Sequence, residues 1–135
     1  MILEITKDNI KEIQDSFLST EFVEKEFSSN PFAKFLVLKE ESIIGYIYYS
    51  DIYERAEINQ FEIDTPFRNQ GKGDYLLKEM IKRVNKDITL EVKENNSSAI
   101  KVYEKNGFLK KAIRPGYYQG IDGILMERKI EQKTL

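Results

Sequence analysis

The stretch from Phe61 to Val84 limits the fold of this chain more than any other. It begins with a strand-like alternation at Phe61 and Ile63, breaks at Thr65-Pro66, and passes through a turn with two glycines into a helix. The helix has one apolar face, formed by Leu76, Leu77, Met80, Ile81 and Val84. A strand that leads through a glycine-rich turn into a helix favours phosphate binding, because the unpaired amide groups of the first helical turn point at the anion.

The turn itself reads Arg68-Asn69-Gln70-Gly71-Lys72-Gly73. It lacks the Gly-Lys-Ser/Thr of a nucleotide P-loop, and it lacks the third glycine of the dinucleotide fingerprint. The pattern that fits is Arg/Gln-x-x-Gly-x-Gly, and the turn therefore resembles the loop that binds the pyrophosphate of coenzyme A in GNAT N-acetyltransferases. Taken alone, so short a pattern also fits a loop that only begins a packed helix, so the rest of the chain has to decide.

Composition limits the number of domains, the class of partner and the side chains available for acid–base chemistry. The chain has 135 residues, enough for one domain, and we expect residues 1–135 to form a single one. Its 21 basic and 23 acidic residues leave a net charge of −2, which gives no reason to expect nucleic acid; a small molecule or a protein partner is favoured. Because cysteine and histidine are both absent, acid–base chemistry must rest on carboxylates, tyrosines or lysines.

The sequence also indicates where such a protein would work. No stretch is apolar over the length that crosses a membrane, and Met1 to Gln14 carries a charge every few residues. We therefore expect a soluble, cytoplasmic protein without a membrane partner. The sequence leaves its oligomeric state open between a monomer and a homodimer.

The periodicities predict a mixed α/β sheet with helices packed on it. Strands are predicted at Ile2–Ile5, Phe35–Lys39, Ile43–Tyr49, Glu54–Asp64, Asp87–Lys93, Lys110–Arg114 and Ile124–Ile130. Helices are predicted at Asp8–Leu18 with Asp8 as N-cap, after Thr20, after Gly73, and at Ala99–Lys105. Asn106-Gly107 should end the last helix, and Pro115-Gly116 should form the turn before the final strand.

A second set of motifs makes the resemblance specific. Leu90-Glu91-Val92, Asn96, Tyr103-Glu104 and Gly107-Phe108 are most similar to the RimI branch of GNAT proteins, the ribosomal-protein-alanine N-acetyltransferases. The resemblance covers about residues 55–127. It implies the GNAT fold, in which a central, mostly antiparallel sheet has one parallel pair splayed at the cofactor site and helices on both faces. It also implies acetyl-CoA as the donor and a primary amine as the acceptor, in this branch a protein N-terminal α-amino group, with no metal.

The resemblance further implies roles for two side chains. Glu91 would be the general base that takes a proton from the attacking amine, and Tyr103 would give a proton or a hydrogen bond to the departing sulfur of coenzyme A. From the pattern alone, Glu91 faces away from Leu90 and Val92 and fits a solvated strand face. Tyr103 alone fits a core aromatic on a helix equally well.

Other assignments remain open at the level of sequence. Glu57 and Glu62 compete with Glu91 as base, and Glu57 ranks second because it falls where a histone-acetylating branch keeps its base. The acceptor could instead be a small amine, or the chain could be a non-catalytic acyl-CoA-binding module. Arg114, Tyr117 and Tyr118 form a basic-aromatic group that we expect to line the acceptor groove, although an ordinary surface hairpin explains them as well.

The implied cofactor contacts follow the motifs. The residues carried over are Phe61, Ile63, Arg68, Gln70, Gly71, Lys72, Gly73, Asp74, Asn96 and Tyr103. Asp74 departs from the family pattern, which generally has a basic or small polar residue there. Its carboxylate complements an empty helix start but repels a bound polyanion, so either Arg68 and Lys72 offset its charge or the side chain points away.

Overall fold

A computed structural model describes residues 1–130, and residues 131–135 of the predicted domain lie outside this range. The strands described are β1 Ile2–Ile5, β2 Ala33–Lys39, β3 Ile43–Ile52, β4 Arg55–Ile63, β5 Asp87–Lys93, β6 Leu109–Tyr118 and β7 Ile121–Arg128. They form one seven-stranded sheet in the order β1-β2-β3-β4-β5-β7-β6. The α-helices described are α1 Thr20–Ser29, α2 Lys72–Val84 and α3 Ser97–Lys105.

The sheet is antiparallel except where β4 meets β5. That parallel pair runs only from Arg55 opposite Asp87 to Ile58 opposite Leu90, although β4 continues to Ile63 and β5 to Lys93. The pairing stops beside a bulge, because Tyr48 and Tyr49 of β3 pair with Gln60 and Ile58, which leaves Asn59 as an extra residue in β4. The two strands therefore diverge after Ile58, and the predicted mixed sheet with a splayed parallel pair is confirmed.

Helices cover both faces of the sheet. On one face, Leu77 and Met80 of α2 and Ile100 of α3 share a buried cluster with Leu90 and Val92 of β5. On the other face, Val23 of α1 packs with Phe35 of β2 and Tyr48 of β3, whose rings stack with centroids 4.4 Å apart. The alternation along each strand thus divides the apolar residues between two layers, as strand geometry requires.

The helix predicted at Asp8–Leu18 is wrong. Only a 3₁₀ turn at Ile10–Ile13 forms, with Asn9 rather than Asp8 in the N-cap position. The Asn9 side chain accepts from the Thr6 amide and donates to the Glu4 carbonyl, and the Ser16 hydroxyl donates to the Ile13 carbonyl at 2.6 Å. These local bonds replace helical ones, which is the usual behaviour of short polar side chains.

The turn predicted at Pro115-Gly116 is also wrong. Strand β6 continues to Tyr118, which pairs with Ile121, so the two-residue turn lies at Gln119-Gly120. Both of these residues have positive φ, 49° and 91°, which matches the twist of a tight hairpin. Pro115 and Gly116 instead belong to a bulge, because the pairing skips from Arg114 to Tyr118.

Candidate active site

Helix α2 begins without a side-chain cap. Its N-cap is Gly71, whose φ is +77° and whose position no side chain could share without strain. No side chain accepts a hydrogen bond from the first-turn amide groups at this cap. The amides at the start of α2 are therefore available to an anion, with the helix dipole behind them.

The polar side chains of the preceding turn are held by their neighbours. Arg68 Nε donates to the Ile63 carbonyl at 2.8 Å, and Gln70 Nε2 donates to the Pro66 carbonyl at 3.2 Å. Lys72 Nζ pairs at 2.7 Å with Glu40 of the β2–β3 hairpin. The turn is thus braced at its start and at its end.

Gly73 allows α2 to lie directly on β4. A Cβ at Gly73 would be 3.3 Å from Phe61 Cζ and 3.5 Å from Ile63 Cγ1, so a larger side chain would press on both. Phe61 in turn contacts Tyr103 of α3, with ring centroids 6.0 Å apart. The second glycine of the motif therefore serves helix–strand packing, and it brings the uncapped start of α2 close to the end of β4.

Asp74 points away from the turn. Its carboxylate accepts bonds from Lys78 Nζ at 2.8 Å and 2.9 Å and from Asn106 Nδ2 at 2.8 Å. The bond from Lys78, followed by that from Asn106, holds the pKa of Asp74 below its ordinary value. The sequence left open whether Arg68 and Lys72 offset the charge of Asp74 or its side chain points away. The structure supports the side chain that points away, because neither Arg68 nor Lys72 pairs with this carboxylate.

Glu91 carries an oxygen that is buried and has no hydrogen bond. Across residues 1–130, Oε1 of Glu91 is the one side-chain polar atom in this condition. Arg114 Nε lies 3.4 Å from it as an ion pair without hydrogen-bond geometry. Buried polar atoms are nearly always satisfied, so this unsatisfied carboxylate oxygen singles out Glu91 as a candidate site residue.

Tyr103 lies in the core beside the end of β4. Its ring contacts Phe61 and also Phe108, with centroids 5.5 Å apart in the second pair. Burial raises the pKa of the Tyr103 phenol well above its ordinary value, so the hydroxyl is neutral and can donate a proton or a hydrogen bond. Asn96 forms the N-cap of the same helix by accepting from the Ala99 amide at 3.3 Å.

Glu91 and Tyr103 lie on opposite faces of the sheet. Tyr103 belongs to the cluster that contains Leu90 and Val92, and Glu91 alternates with those two residues along β5. The gap where β4 and β5 diverge after Ile58 lies between these two faces. The geometry therefore suits a reaction between two molecules that approach from opposite faces.

The basic-aromatic group predicted from the sequence is assembled beside Glu91. The Arg114 guanidinium lies 5.0 Å from the centre of the Tyr117 ring, and the Tyr117 and Tyr118 rings meet edge to face at 4.9 Å. Burial, followed by the negative charge of Glu91, raises the pKa of Tyr118. These side chains form one wall on the Glu91 side of the gap.

Sequence reasoning missed two residues of this wall. A Cβ at Gly123 of β7 would lie 2.8 Å from Glu91 Oε1, so the absent side chain makes room for the carboxylate. Asp122 Oδ1 accepts a bond from the Gly116 amide at 2.9 Å and holds the β6 bulge. The signal for Gly123 was available, because an isolated glycine in a strand often marks a close approach; Asp122 gave none.

Glu57 and Glu62, the two carboxylates that compete with Glu91 for the role of base, lie on β4 rather than on β5. Glu57 lies within the paired part of β4, opposite Ser50 on one side and Thr89 on the other, and so before the strands diverge. Glu62 lies beyond the bulge, where the Tyr46 hydroxyl is 3.4 Å from its carboxylate. Burial, followed by the charge of Glu62, raises the pKa of Tyr46.

Comparison with known proteins now identifies the family. The model of the acetyltransferase (GNAT) family matches residues 2–108. The chain belongs to the GNAT family. Members of the family are acetyl-CoA-dependent N-acetyltransferases, so this GNAT enzyme uses acetyl-CoA as its donor.

Individual relatives of this GNAT enzyme support the assignment. It is 29% identical over 107 residues to the ribosomal protein bS18-alanine N-acetyltransferase of Escherichia coli strain K12, which covers 74% of this chain and 72% of the relative. The crystal structure of the E. coli ribosomal-protein-S18-alanine N-acetyltransferase matches with a TM-score of 0.79 and 22% identity over 99% of this chain and 96% of that one. The resemblance to the RimI branch is thereby confirmed.

A ligand-bound relative shares the fold. A GNAT family acetyltransferase from Elizabethkingia anophelis, solved with acetyl-CoA bound, matches with a TM-score of 0.73 and 19% identity over 96% of this chain and 97% of that one. The residues of this GNAT enzyme fit the same donor: α2 starts uncapped, and β4 has a free edge beyond Ile58.

Among residues 1–130, no helix combines the length and the apolar character needed to cross a bilayer.

Proposed function

We propose that this enzyme acetylates the N-terminal α-amino group of a protein. The observation that carries the proposal is the buried Oε1 of Glu91, which has no hydrogen bond and lies beside the aromatic wall of Tyr117 and Tyr118. An amine is a hydrogen-bond donor that suits such an oxygen, and aromatic rings suit the backbone of an extended peptide. The E. coli relative is named for acetylation of an alanine of ribosomal protein bS18, and a ribosomal acceptor would place the reaction in the cytoplasm.

On the donor side, the chain would bind and orient the cofactor. The backbone amides from Gln70 to Asp74, at the uncapped start of α2, would hold the pyrophosphate, and Arg68 and Lys72 would add positive charge beside it. The backbone of Phe61 to Ile63, which is free of β5, would pair with the pantetheine arm. Asn96 would contact the cofactor from the start of α3. Acetyl-CoA supplies the acetyl group as a reactive thioester.

On the acceptor side, Glu91 would act as the base. It would take a proton from the amine at Oε1, while Tyr103 on the other face holds a proton at its hydroxyl for the leaving group. Holding the amine and the donor at one gap accounts for much of the expected rate, and the acid–base groups add to it. This division assigns the α2 face to the donor and the Arg114–Tyr118 face to the acceptor.

The test is a mass-spectrometric acetylation assay with matched acceptors. An alanine-initiated peptide that also contains lysine would be compared with the same peptide blocked at its N-terminus, and with spermidine as a small amine. The proposal predicts one acetyl group on the free N-terminus and none on the blocked peptide. Acetylation of lysine or of spermidine alone would overturn it, and tight acetyl-CoA binding without turnover on any acceptor would favour a non-catalytic module.

A further inference from the structure

The carboxylate of Asp74 joins the start of α2 to the end of α3. The polar cluster of Asp74, Lys78 and Asn106 is closed on itself: Asp74 accepts from both partners, and Lys78 Nζ also donates to Asn106 Oδ1 at 2.9 Å. Lys105 adds a second cation at 3.5 Å. A network in which each member is bonded to both others holds a defined geometry.

Asn106 connects this polar cluster to the last turn of α3 and to β7. Its Nδ2 also donates to the Val102 carbonyl at 2.8 Å, and its own carbonyl accepts from Arg128 Nε at 3.0 Å. Its backbone amide bonds to the Tyr103 carbonyl at 3.0 Å. The position of the α3 turn that carries Tyr103 is therefore tied to the first turn of α2.

A second connection between the same two helices is apolar. It runs from Gly73, where an added Cβ would lie 3.3 Å from Phe61 Cζ, through Phe61 to Tyr103, with the two ring centroids 6.0 Å apart. The apolar path thus connects α2 to α3 through β4, and the polar cluster bridges the helix ends directly. Together they determine how far the α2 amides lie from the Tyr103 hydroxyl.

We infer that Asp74 is a positioning residue, which sets the spacing between the pyrophosphate-binding amides and Tyr103 to the length of the pantetheine arm. Coenzyme A has to reach both ends of its site at once, so an error in this spacing weakens binding of the whole molecule. The inference rests on the donor site proposed above. It reverses the expectation from charge alone, under which removal of an acidic residue beside a polyanion would improve binding.

The two views are separated by titration calorimetry with acetyl-CoA and with 3′-phospho-ADP, which has the nucleotide and pyrophosphate of coenzyme A but no pantetheine arm. In Asp74→Ala we expect the Kd for acetyl-CoA to rise roughly three- to tenfold and that for 3′-phospho-ADP to change much less. Asp74→Asn keeps an oxygen that accepts from Asn106 and Lys78, so its Kd should lie nearer the natural protein's. Asp74→Ala combined with Asn106→Ala should bind no worse than the weaker single variant.

Glu79→Ala is the matched control, because it removes the same charge from the same helix. The Glu79 carboxylate forms an ion pair at 3.7 Å with Lys82, within α2 itself. It should leave both Kd values unchanged. Tighter or unchanged acetyl-CoA binding by Asp74→Ala would overturn the inference, as would equal weakening for both ligands, which indicates damage to the turn itself. Absence of acetyl-CoA binding by the natural protein would instead refute the proposed donor site.

Discussion

At the scale of single residues, Glu91 is the group on which the proposed chemistry depends. Its Oε1 is buried without a hydrogen bond, 3.4 Å from Arg114 Nε. Glu91→Gln keeps the shape of the side chain and removes its ability to take up a proton. We expect kcat for the peptide acceptor to fall about 10²- to 10⁴-fold while the Kd for acetyl-CoA stays the same.

Steady-state kinetics and calorimetry on Glu91→Gln would check this. Glu57→Gln, on the paired part of β4, is the natural comparison and should keep its activity. If turnover survives in Glu91→Gln and is lost in Glu57→Gln, the base has been misassigned.

Gly123 tests the position of the same carboxylate without altering it. A methyl group in Gly123→Ala would start 2.8 Å from Glu91 Oε1 and 3.2 Å from Tyr118 Cε2. The carboxylate is the end of a flexible side chain and can move, so the fold should persist while kcat/KM for the acceptor falls roughly 10- to 100-fold. In a Glu91→Gln background the same change should cost little more, and an equal loss in both backgrounds would show that Gly123 acts independently of Glu91.

At the scale of elements, the bulge of β6 presents the proposed acceptor wall of Arg114, Tyr117 and Tyr118. The pairing skips from Arg114 to Tyr118, and Asp122 holds the bulge through the Gly116 amide at 2.9 Å. In Asp122→Ala we expect KM for the peptide acceptor to rise about three- to tenfold, because Tyr117 and Arg114 lose their support, with acetyl-CoA binding unchanged. Asp122→Asn keeps an accepting oxygen and should behave like the natural protein.

A matched control for this element lies at the opposite end of β5. Asp87 Oδ1 accepts from the Ile130 amide at 2.7 Å, a bond of the same type outside the proposed acceptor wall. Asp87→Ala should therefore leave KM for the acceptor unchanged. Equal effects of Asp87→Ala and Asp122→Ala on KM would mean that the bulge has no particular role in acceptor binding.

At the scale of the whole molecule, buried tyrosines predict how stability depends on pH. Burial, followed by the charges of Glu4 and Asp51, raises the pKa of Tyr49 to about 12, from 10.0. A raised pKa in the folded state gives stability that is complete below the unfolded value and is lost as pH rises towards the folded value. The urea midpoint should therefore fall between about pH 10 and pH 12.

Tyr49→Phe isolates this contribution, because it removes the ionising group and keeps the ring. Its urea midpoint should fall less steeply over the same alkaline range. Parallel curves for the natural protein and Tyr49→Phe would contradict the role of Tyr49, and the loss would then come from other groups.

The sequence by itself determined the parts that depend on local spacing. The apolar face of α2 and the alternation of β5 are each encoded within a few neighbouring residues, and both appear as predicted. The same holds for the motif order that placed the chain in its family. The catalytic and binding roles of Glu91, Tyr103 and the turn residues stay predictions.

Only the tertiary structure decided what depends on residues far apart in the chain. The sequence places the charge of Asp74 beside a polyanion, whereas in the folded chain Asn106 binds its carboxylate. The room for Glu91 comes from Gly123 on another strand, and the helix expected near Asp8 gave way to local side-chain bonds. Periodicity reports which way a side chain faces, but the partner it meets there is set by how the strands and helices pack, and no local pattern contains that information.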